Sequence, residues 1–473
     1  MQTVYNNFSA VTVRKLSVND AGNLVITAFS GNVKLVFYYT TNGTLQWSYN
    51  GRFIANGNDL TLQGAILDNT DSIYMFGELN ASSSSNLGYQ ILDASGNLLT
   101  FYNETRPAGR QPFVWKFDTN YNRLAYTFEN DAIVIRDLKI YNNDIYIVGQ
   151  ALNYWMTNVY GLEVRHPDNL NFNSAYGFLM KMNSSLSGVW VRSIGSEEMD
   201  EGLTNIFIDA NGIYISGFSG NHFAPTASGS AFYIRIRGQS FALGAFYKST
   251  KTFLMKFDLS GTIQWGRLIY GNSRYTSAYA SNIAVDQNNI YLSGSYNDTF
   301  EFNSTSGSDT RTTSGDLDGY FVHYLQDGTY ENTYTFGNST TDRMSSVLIS
   351  GTNLYFTGDF SGTIDADVSS TTQNIVSSNR SSFITKNSLN TLDIEDVFLS
   401  EKSLSVVPNP TKNSFTIQTE IQINHVEVYD VNARKVMEYA HQKTIDISNL
   451  PSGMYYVTIN TAQGNIHKKI IKI

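Results

Sequence analysis

The sequence predicts an all-β protein assembled from repeated hairpins, and three observations carry that expectation. Aromatic residues make up 14 % of the 473 residues and charged ones 15 %, with 36 glycines against 7 prolines, a balance that favours strands and turns over helices. One strand pattern, aliphatic-Tyr-aliphatic-x-Gly, recurs between residues 73 and 358. The stretch 404–473 alternates apolar and polar residues with period 2, as half-buried strands do.

The recurring strand reads Ile73-Tyr74-Met75-Phe76-Gly77, Ile145-Tyr146-Ile147-Val148-Gly149, Ile213-Tyr214-Ile215-Ser216-Gly217, Ile290-Tyr291-Leu292-Ser293-Gly294 and Leu354-Tyr355-Phe356-Thr357-Gly358, with a weaker copy at Leu24-Val25-Ile26-Thr27-Ala28. Each follows a short strand and a polar turn, which makes a hairpin. A second pattern comes after it, as in Phe113-Val114-Trp115-Lys116, Phe178-Leu179-Met180-Lys181 and Phe253-Leu254-Met255-Lys256. A turn and a further strand come next, often with a tryptophan such as Trp47, Trp190 or Trp265.

Two hairpins per unit give four antiparallel strands, which is one blade of a β-propeller. Six blades are favoured, with units centred near residues 24, 73, 145, 213, 290 and 354. Seven would follow if an insertion at 88–102 or 232–246 hides another unit, and an open solenoid or a pair of sandwiches is the alternative architecture. The last unit stops after its third strand near Asn390, and residues 3–8 resemble the missing fourth. Their pairing would close the ring and remove its exposed edges. The glycine ending each tyrosine strand implies a bulge or a close backbone approach, and the tyrosines are expected to fill contacts between units. These units resemble the bacterial β-propeller repeats found in secreted and surface proteins.

The C-terminal segment begins Ser405-Val406-Val407-Pro408-Asn409-Pro410, where two prolines impose an extended approach. Strands follow at Phe415-Thr416-Ile417-Gln418 and Val426-Glu427-Val428-Tyr429, then a turn at 450–453, a strand over 454–459 and a last strand over 466–473. Seven or so short strands suggest a small immunoglobulin-like sandwich. In its motifs and their order, the segment resembles the type A C-terminal sorting domain of the type IX secretion system of Bacteroidota. Ala433 stands where relatives usually place glycine, with Asn432 able to take the left-handed turn position.

The resemblance implies three regions: a propeller at 1–390, a linker with a processing site at 391–403, and a sorting domain at 404–473. It implies recognition by the translocon and its shuttle protein through Pro408, Asn409, Pro410, Gly453, Tyr455, Lys468 and Lys469. Removal by a sortase-like peptidase would follow, with attachment to a surface lipopolysaccharide.

Composition narrows the rest. A net charge of −9 and a pI near 5.2 give no basic footprint for nucleic acid. The absence of cysteine excludes disulfides, thiolate catalysis and cysteine-ligated metals. Residues 1–30 contain no apolar run, so the chain reads as a mature form starting near Gln2, its signal peptide removed. No stretch reaches the length of a membrane span.

Chemistry is sparse. The histidines, His166, His222, His323, His425, His441 and His467, have no i, i+4 partners of metal-binding type. Asp316-Leu317-Asp318-Gly319 starts like a calcium loop but lacks the later carboxylate. The acidic run Glu197-Glu198 with Asp200-Glu201 reads as a solvated turn. No catalytic residue, metal site or cofactor is expected.

The insertions offer aromatic ligand-binding candidates in Tyr154, Trp155, His222, Phe223, Tyr270 and Tyr275, with Tyr279 and the stretch 160–173 beside them. Such rings stack on sugars, although covering strand edges is their plainer role. The sequence therefore favours a secreted or surface-displayed, non-catalytic binding protein of adhesin or gliding-associated type, with a glycan or envelope protein as ligand. The alternatives are a polysaccharide hydrolase or lyase, or a structural component retained with the secretion or motility machinery.

Overall fold

The computed structural model describes residues 12–388 except 31–32, 52–57, 82–84, 94–96, 107–108, 121, 129–132, 153–155, 166–174, 196–199, 221–230, 237–238, 246–250, 272–276, 304–307 and 369–371. It also describes 404–473 except 420–421, 432–433 and 462–463. All regular elements among them are strands. They fall into two compact units, residues 1–387 and 388–473.

Among the described residues, six antiparallel sheets of three or more strands organise the first unit. Each begins with an up-and-down run in chain order: Thr12–Val18 to Leu45–Gly51, Asn58–Leu67 to Arg123–Phe128, Ile133–Tyr141 to Gly188–Gly195, Asp200–Asp209 to Ile263–Gly271, Ala278–Val285 to Tyr330–Phe336, and Arg343–Ser350 to Asn374–Ser388. The sixth has three strands. The residues suggested as its fourth, 3–8, lie outside those described.

The insertions build outward. Ser85–Asp93 with Leu98–Arg106 extends the first sheet, and Ala231–Ile236 with Gln239–Ala245 extends the third. Thr299–Glu301 with Thr310–Thr312 extends the fourth. The two stretches that could have hidden a seventh unit are therefore added hairpins on existing sheets. Each satisfies backbone groups that the fourth strand would leave open. Another hairpin, Met156–Val159 with Leu162–Arg165, folds onto the third sheet, where Tyr160 and Val164 are buried and Gly188 donates to the Tyr160 carbonyl at 3.0 Å. This part of the 160–173 stretch covers structure.

The repeat motifs have direct physical explanations. In every first strand the ladder slips by one residue, at Arg14, Gln63, Arg136, Thr204, Ser281 and Ser345. Such a bulge tips the preceding backbone toward its neighbour. A Cβ on Gly77, Gly149, Gly217, Gly294 or Gly358 would lie 2.0, 1.9, 2.3, 2.1 or 2.1 Å from a carbonyl oxygen of that strand. The glycine ending the tyrosine strand is thus required by the bulge opposite. The first sheet alone places a methyl group there, on Ala28.

The tyrosine faces the basic residue of the second motif across the ladder. Lys116, Lys181 and Lys256 sit over Tyr74, Tyr146 and Tyr214 at 5.1–5.4 Å from the ring centres, a favourable cation–π distance. His323 replaces lysine in the fifth sheet, stacked on Tyr291 at 4.6 Å, with Nε2 2.8 Å from Asn289 Oδ1. These tyrosines lie in hydrophobic clusters shared by consecutive sheets. Tyr74 packs with Ile135 and Ile147, Tyr146 with Ile206 and Ile213, and Tyr214 with Ile283 and Leu292.

The tryptophan strands brace the next sheet. Arg192 lies over Trp190 and its Nε donates to the Gly261 carbonyl at 2.7 Å, while Arg267 lies over Trp265 and donates to Gly328 at 2.5 Å. Gly261 and Gly328 have φ of +79° and +82°, a conformation that glycine adopts without strain. The hairpin turns are fixed by side chains. Asp118, Asn183 and Asp258 each accept from the backbone N–H groups two and four residues on, at 2.8–3.1 Å.

One seam differs. The residue after the bulge pair is buried in five sheets, as Ala65, Leu138, Ile206, Ile283 and Val347, but Leu16 of the first sheet is 59 % exposed.

The second unit has two sheets, of three and four strands, around one core that includes Phe415, Ile417, Val426, Val457 and Ile470.

Candidate functional site

The first strands of all six sheets line one cavity of about 580 Å³. A regular strand alternates its side chains between two faces, so it would offer the cavity every second residue. The bulge changes that. The extra residues Arg14, Gln63, Arg136, Thr204, Ser281 and Ser345 all line the cavity. Their successors Lys15, Asp137, Asn205, Asn282 and Ser346 line it as well.

Several of these side chains stitch the sheets together. Arg14 hydrogen-bonds Gln63 and Lys15 forms an ion pair with Asp137. Asn205 Nδ2 donates to the Ala280 carbonyl at 3.3 Å, and Ser281 Oγ to the Met344 carbonyl at 2.8 Å. Asp137 also accepts from the N–H groups of Leu138 at 2.8 Å and Ile206 at 3.2 Å.

The electrostatics are lopsided. Arg14, Lys15, Arg136 and Lys139 meet a single carboxylate, Asp137, among the described lining residues. Burial opposes ionisation of Asp137, but Lys15 and Lys139, with the bonds from Lys15 and Ile206, hold it below the usual carboxylate range. Burial depresses the Lys139 ammonium, and Asp137 only partly offsets this. Arg14 is lowered by burial and by Arg136, and Arg136 by burial, with Glu78 opposing. Neither the Arg136 nor the Lys139 side chain has a hydrogen-bond partner among the described residues.

Of the aromatic ligand candidates, Tyr154, Trp155, His222, Phe223 and Tyr275 lie outside the described residues. Tyr270 is half-buried against the cluster shared by the third and fourth sheets, while Tyr279 is 52 % exposed on the first strand of the fifth sheet. The linker 391–403, the acidic residues Glu197 and Glu198, and Asn432 with Ala433 are also outside. The six bulges carry no sequence period of their own, and the periodic signal that could have revealed them is the glycine opposite all but the first, where Ala28 stands.

The Asp316–Asp318 turn is structural in its contacts. Asp318 is 3 % exposed; its Oδ2 accepts from the Ser314 N–H at 2.8 Å and its Oδ1 has no partner among the described residues. Burial and neighbouring Asp342 push its carboxyl up to about 6, against the pull of the Ser314 N–H. A raised folded value means that stability falls as pH rises from the unfolded value of 3.8 through about 6. Asp318→Asn should therefore stabilise the protein at pH 7 by about 1–3 kcal/mol, with the gain vanishing below pH about 4. Thermal unfolding at both pH values would show it, and a pH-independent difference would exclude this origin.

In the second unit, both Val407-Pro408 and Asn409-Pro410 are cis. The Asn409 side chain imitates a strand partner: Nδ2 donates to the Lys469 carbonyl at 2.7 Å, and Oδ1 accepts from the Ile471 N–H at 2.9 Å. Thr411 continues that pairing through Ile471 and Ile473, both at 2.9 Å. Tyr455 is buried, its hydroxyl donating to the Pro451 carbonyl at 2.8 Å. Gly453 is exposed, and a Cβ there would meet nothing within 4 Å. Lys468 pairs with Val457 and Lys469 with Tyr456, so the two lysines point to opposite faces of their strand.

Residues 405–473 match the family described as secretion system C-terminal sorting domain. The chain thus carries a sorting tail, which supports type IX secretion and a destination in the medium or on the outer surface. No curated protein matches the chain. Among solved structures, the extracellular domain of the one-component system BT4673 from B. thetaiotaomicron aligns with 98 % of this chain and 69 % of its own, at 9 % identity and a TM-score of 0.20. That of the hybrid two-component system BT3049 from the same organism aligns with 97 % and 72 %, at 11 % identity and a TM-score of 0.13. Likeness this loose assigns neither fold nor function. No helix among the described residues is long and apolar enough to cross a membrane.

Proposed function

We propose that the chain is a secreted or surface-displayed, non-catalytic binding protein, exported by the type IX system through residues 404–473, with a six-bladed β-propeller as its binding body. The observation that carries the propeller reading is the convergence of six first strands on one cavity. The sequential packing of sheet on sheet agrees with it. The sorting-family match carries the export reading.

Binding without catalysis fits the cavity's chemistry. Glycoside hydrolysis ordinarily uses a pair of carboxyl groups across the scissile bond, and the described lining residues offer one, already committed to Lys15. Adhesion or gliding at the surface of a Bacteroidota cell is the setting this reading favours.

Deleting residues 404–473 should trap the remainder in the periplasm. Fractionation with mass spectrometry would detect this, and undiminished surface display would overturn the export reading. A full-length chain that stays with the translocon would instead identify a component of the machinery.

A further inference from the structure

We propose that the cavity binds a small hydroxylated anion, the class of sugar acids and sugar phosphates. This rests on the binding reading above and names its ligand class. The whole chain carries a net charge of −9, yet four of the five charged residues at the cavity wall, among the described residues, are cationic. A concave wall concentrates such a field. The protein answers part of this charge: Asp137 pairs with Lys15 and partly offsets Lys139, Glu78 acts on Arg136, and Arg14 is satisfied by a neutral amide. Arg136 and Lys139 keep their donors unused among the described residues. A guanidinium presents a fork of N–H groups matched to two oxygens of a carboxylate or phosphate.

The other side of the wall specifies the remainder of the ligand. The fourth, fifth and sixth sheets contribute neutral hydrogen-bonding side chains such as Thr204, Asn205, Asn282 and Ser346. The Asn282 Oδ1 atom is buried without a partner among the described residues, so a ligand hydroxyl would satisfy it. The volume, about 580 Å³, is that of a small-molecule site and exceeds the needs of a bare ion. Among the described residues the wall includes no aromatic ring, so they offer no platform for neutral sugar stacking.

The test is calorimetric titration of the full chain with galacturonate, glucose 6-phosphate, glucose and inorganic phosphate. One or both hydroxylated anions should bind at one per chain, identifying the acidic group as carboxylate or phosphate. Glucose should not bind, and inorganic phosphate should bind more weakly. Arg136→Gln should weaken the interaction about tenfold or more, as should Lys139→Met if the first variant proves unstable. Arg434→Gln, in the second unit, should leave it unchanged. Equal binding of glucose, or full affinity in both cavity variants, would overturn the charge assignment while leaving a binding protein. Inorganic phosphate matching glucose 6-phosphate would overturn the hydroxyl part. Binding of none of the four by correctly exported protein would overturn the proposal.

Discussion

Gly149→Ala should cost the first unit about 3 kcal/mol or more of stability. The added methyl would be centred 1.9 Å from the Val134 carbonyl oxygen and 3.0 Å from the Phe178 ring. The ring can give by a few tenths of an ångström; the carbonyl cannot, because it belongs to a strand paired on the same sheet and fixed by its own bulge. Relief requires the bulge at Arg136 to open or the ladder to part, and either loses backbone hydrogen bonds in a buried setting. Urea unfolding would show a lower midpoint at unchanged slope. A midpoint equal to that of the parent protein would refute the assignment of this glycine to the bulge.

The second large effect is expected at Asp137. Replacing it with alanine leaves Lys15 and Lys139 facing Arg14 and Arg136 with no carboxylate among the described cavity-lining residues, and strands the N–H of Ile206. Breaking a buried pair from one side typically costs about 3–5 kcal/mol. Asp137→Asn should cost less, since its amide oxygen can still accept from Ile206 and Leu138. The folded carboxyl lies below 3.8, so its stabilisation is present above pH 3.8 and is lost as pH falls through the folded value. The gap between parent and alanine variant should accordingly narrow in acid. A gap that is constant from pH 7 down to 3 would point to lost packing alone.

Much of the architecture was legible because it is local and repeated. Ile145-Tyr146-Ile147-Val148-Gly149 announces a strand by alternation and a bulge by its last residue, and the structure supplies the carbonyl that explains it. The lysine of the second motif was visible as a pattern, while its position over the tyrosine ring follows only from ladder register. The added hairpins were ambiguous because a two-strand insertion and a degenerate repeat look alike until pairing partners are known. The cavity was not legible. Arg14 and Lys15 stand more than a hundred residues of chain before Arg136, Asp137 and Lys139 and obey no period with them, and only the folding of sheet upon sheet assembles them. Sequence reasoning looked to aromatic insertions instead, because rings in polar loops are conspicuous one residue at a time. In the sorting tail, Lys468 and Lys469 read as a doublet, yet strand geometry sends them to opposite faces.

The repeated bulge also separates two kinds of inheritance within each repeat. The glycine and its facing carbonyl maintain the backbone kink, whereas the side chain at the slipped position has no ladder partner to satisfy. Arginine, glutamine, threonine and serine already occupy that position within this one chain. A repeat of this design can therefore vary the side chain it presents to the cavity at six sites, while the residues across from them keep the backbone kink.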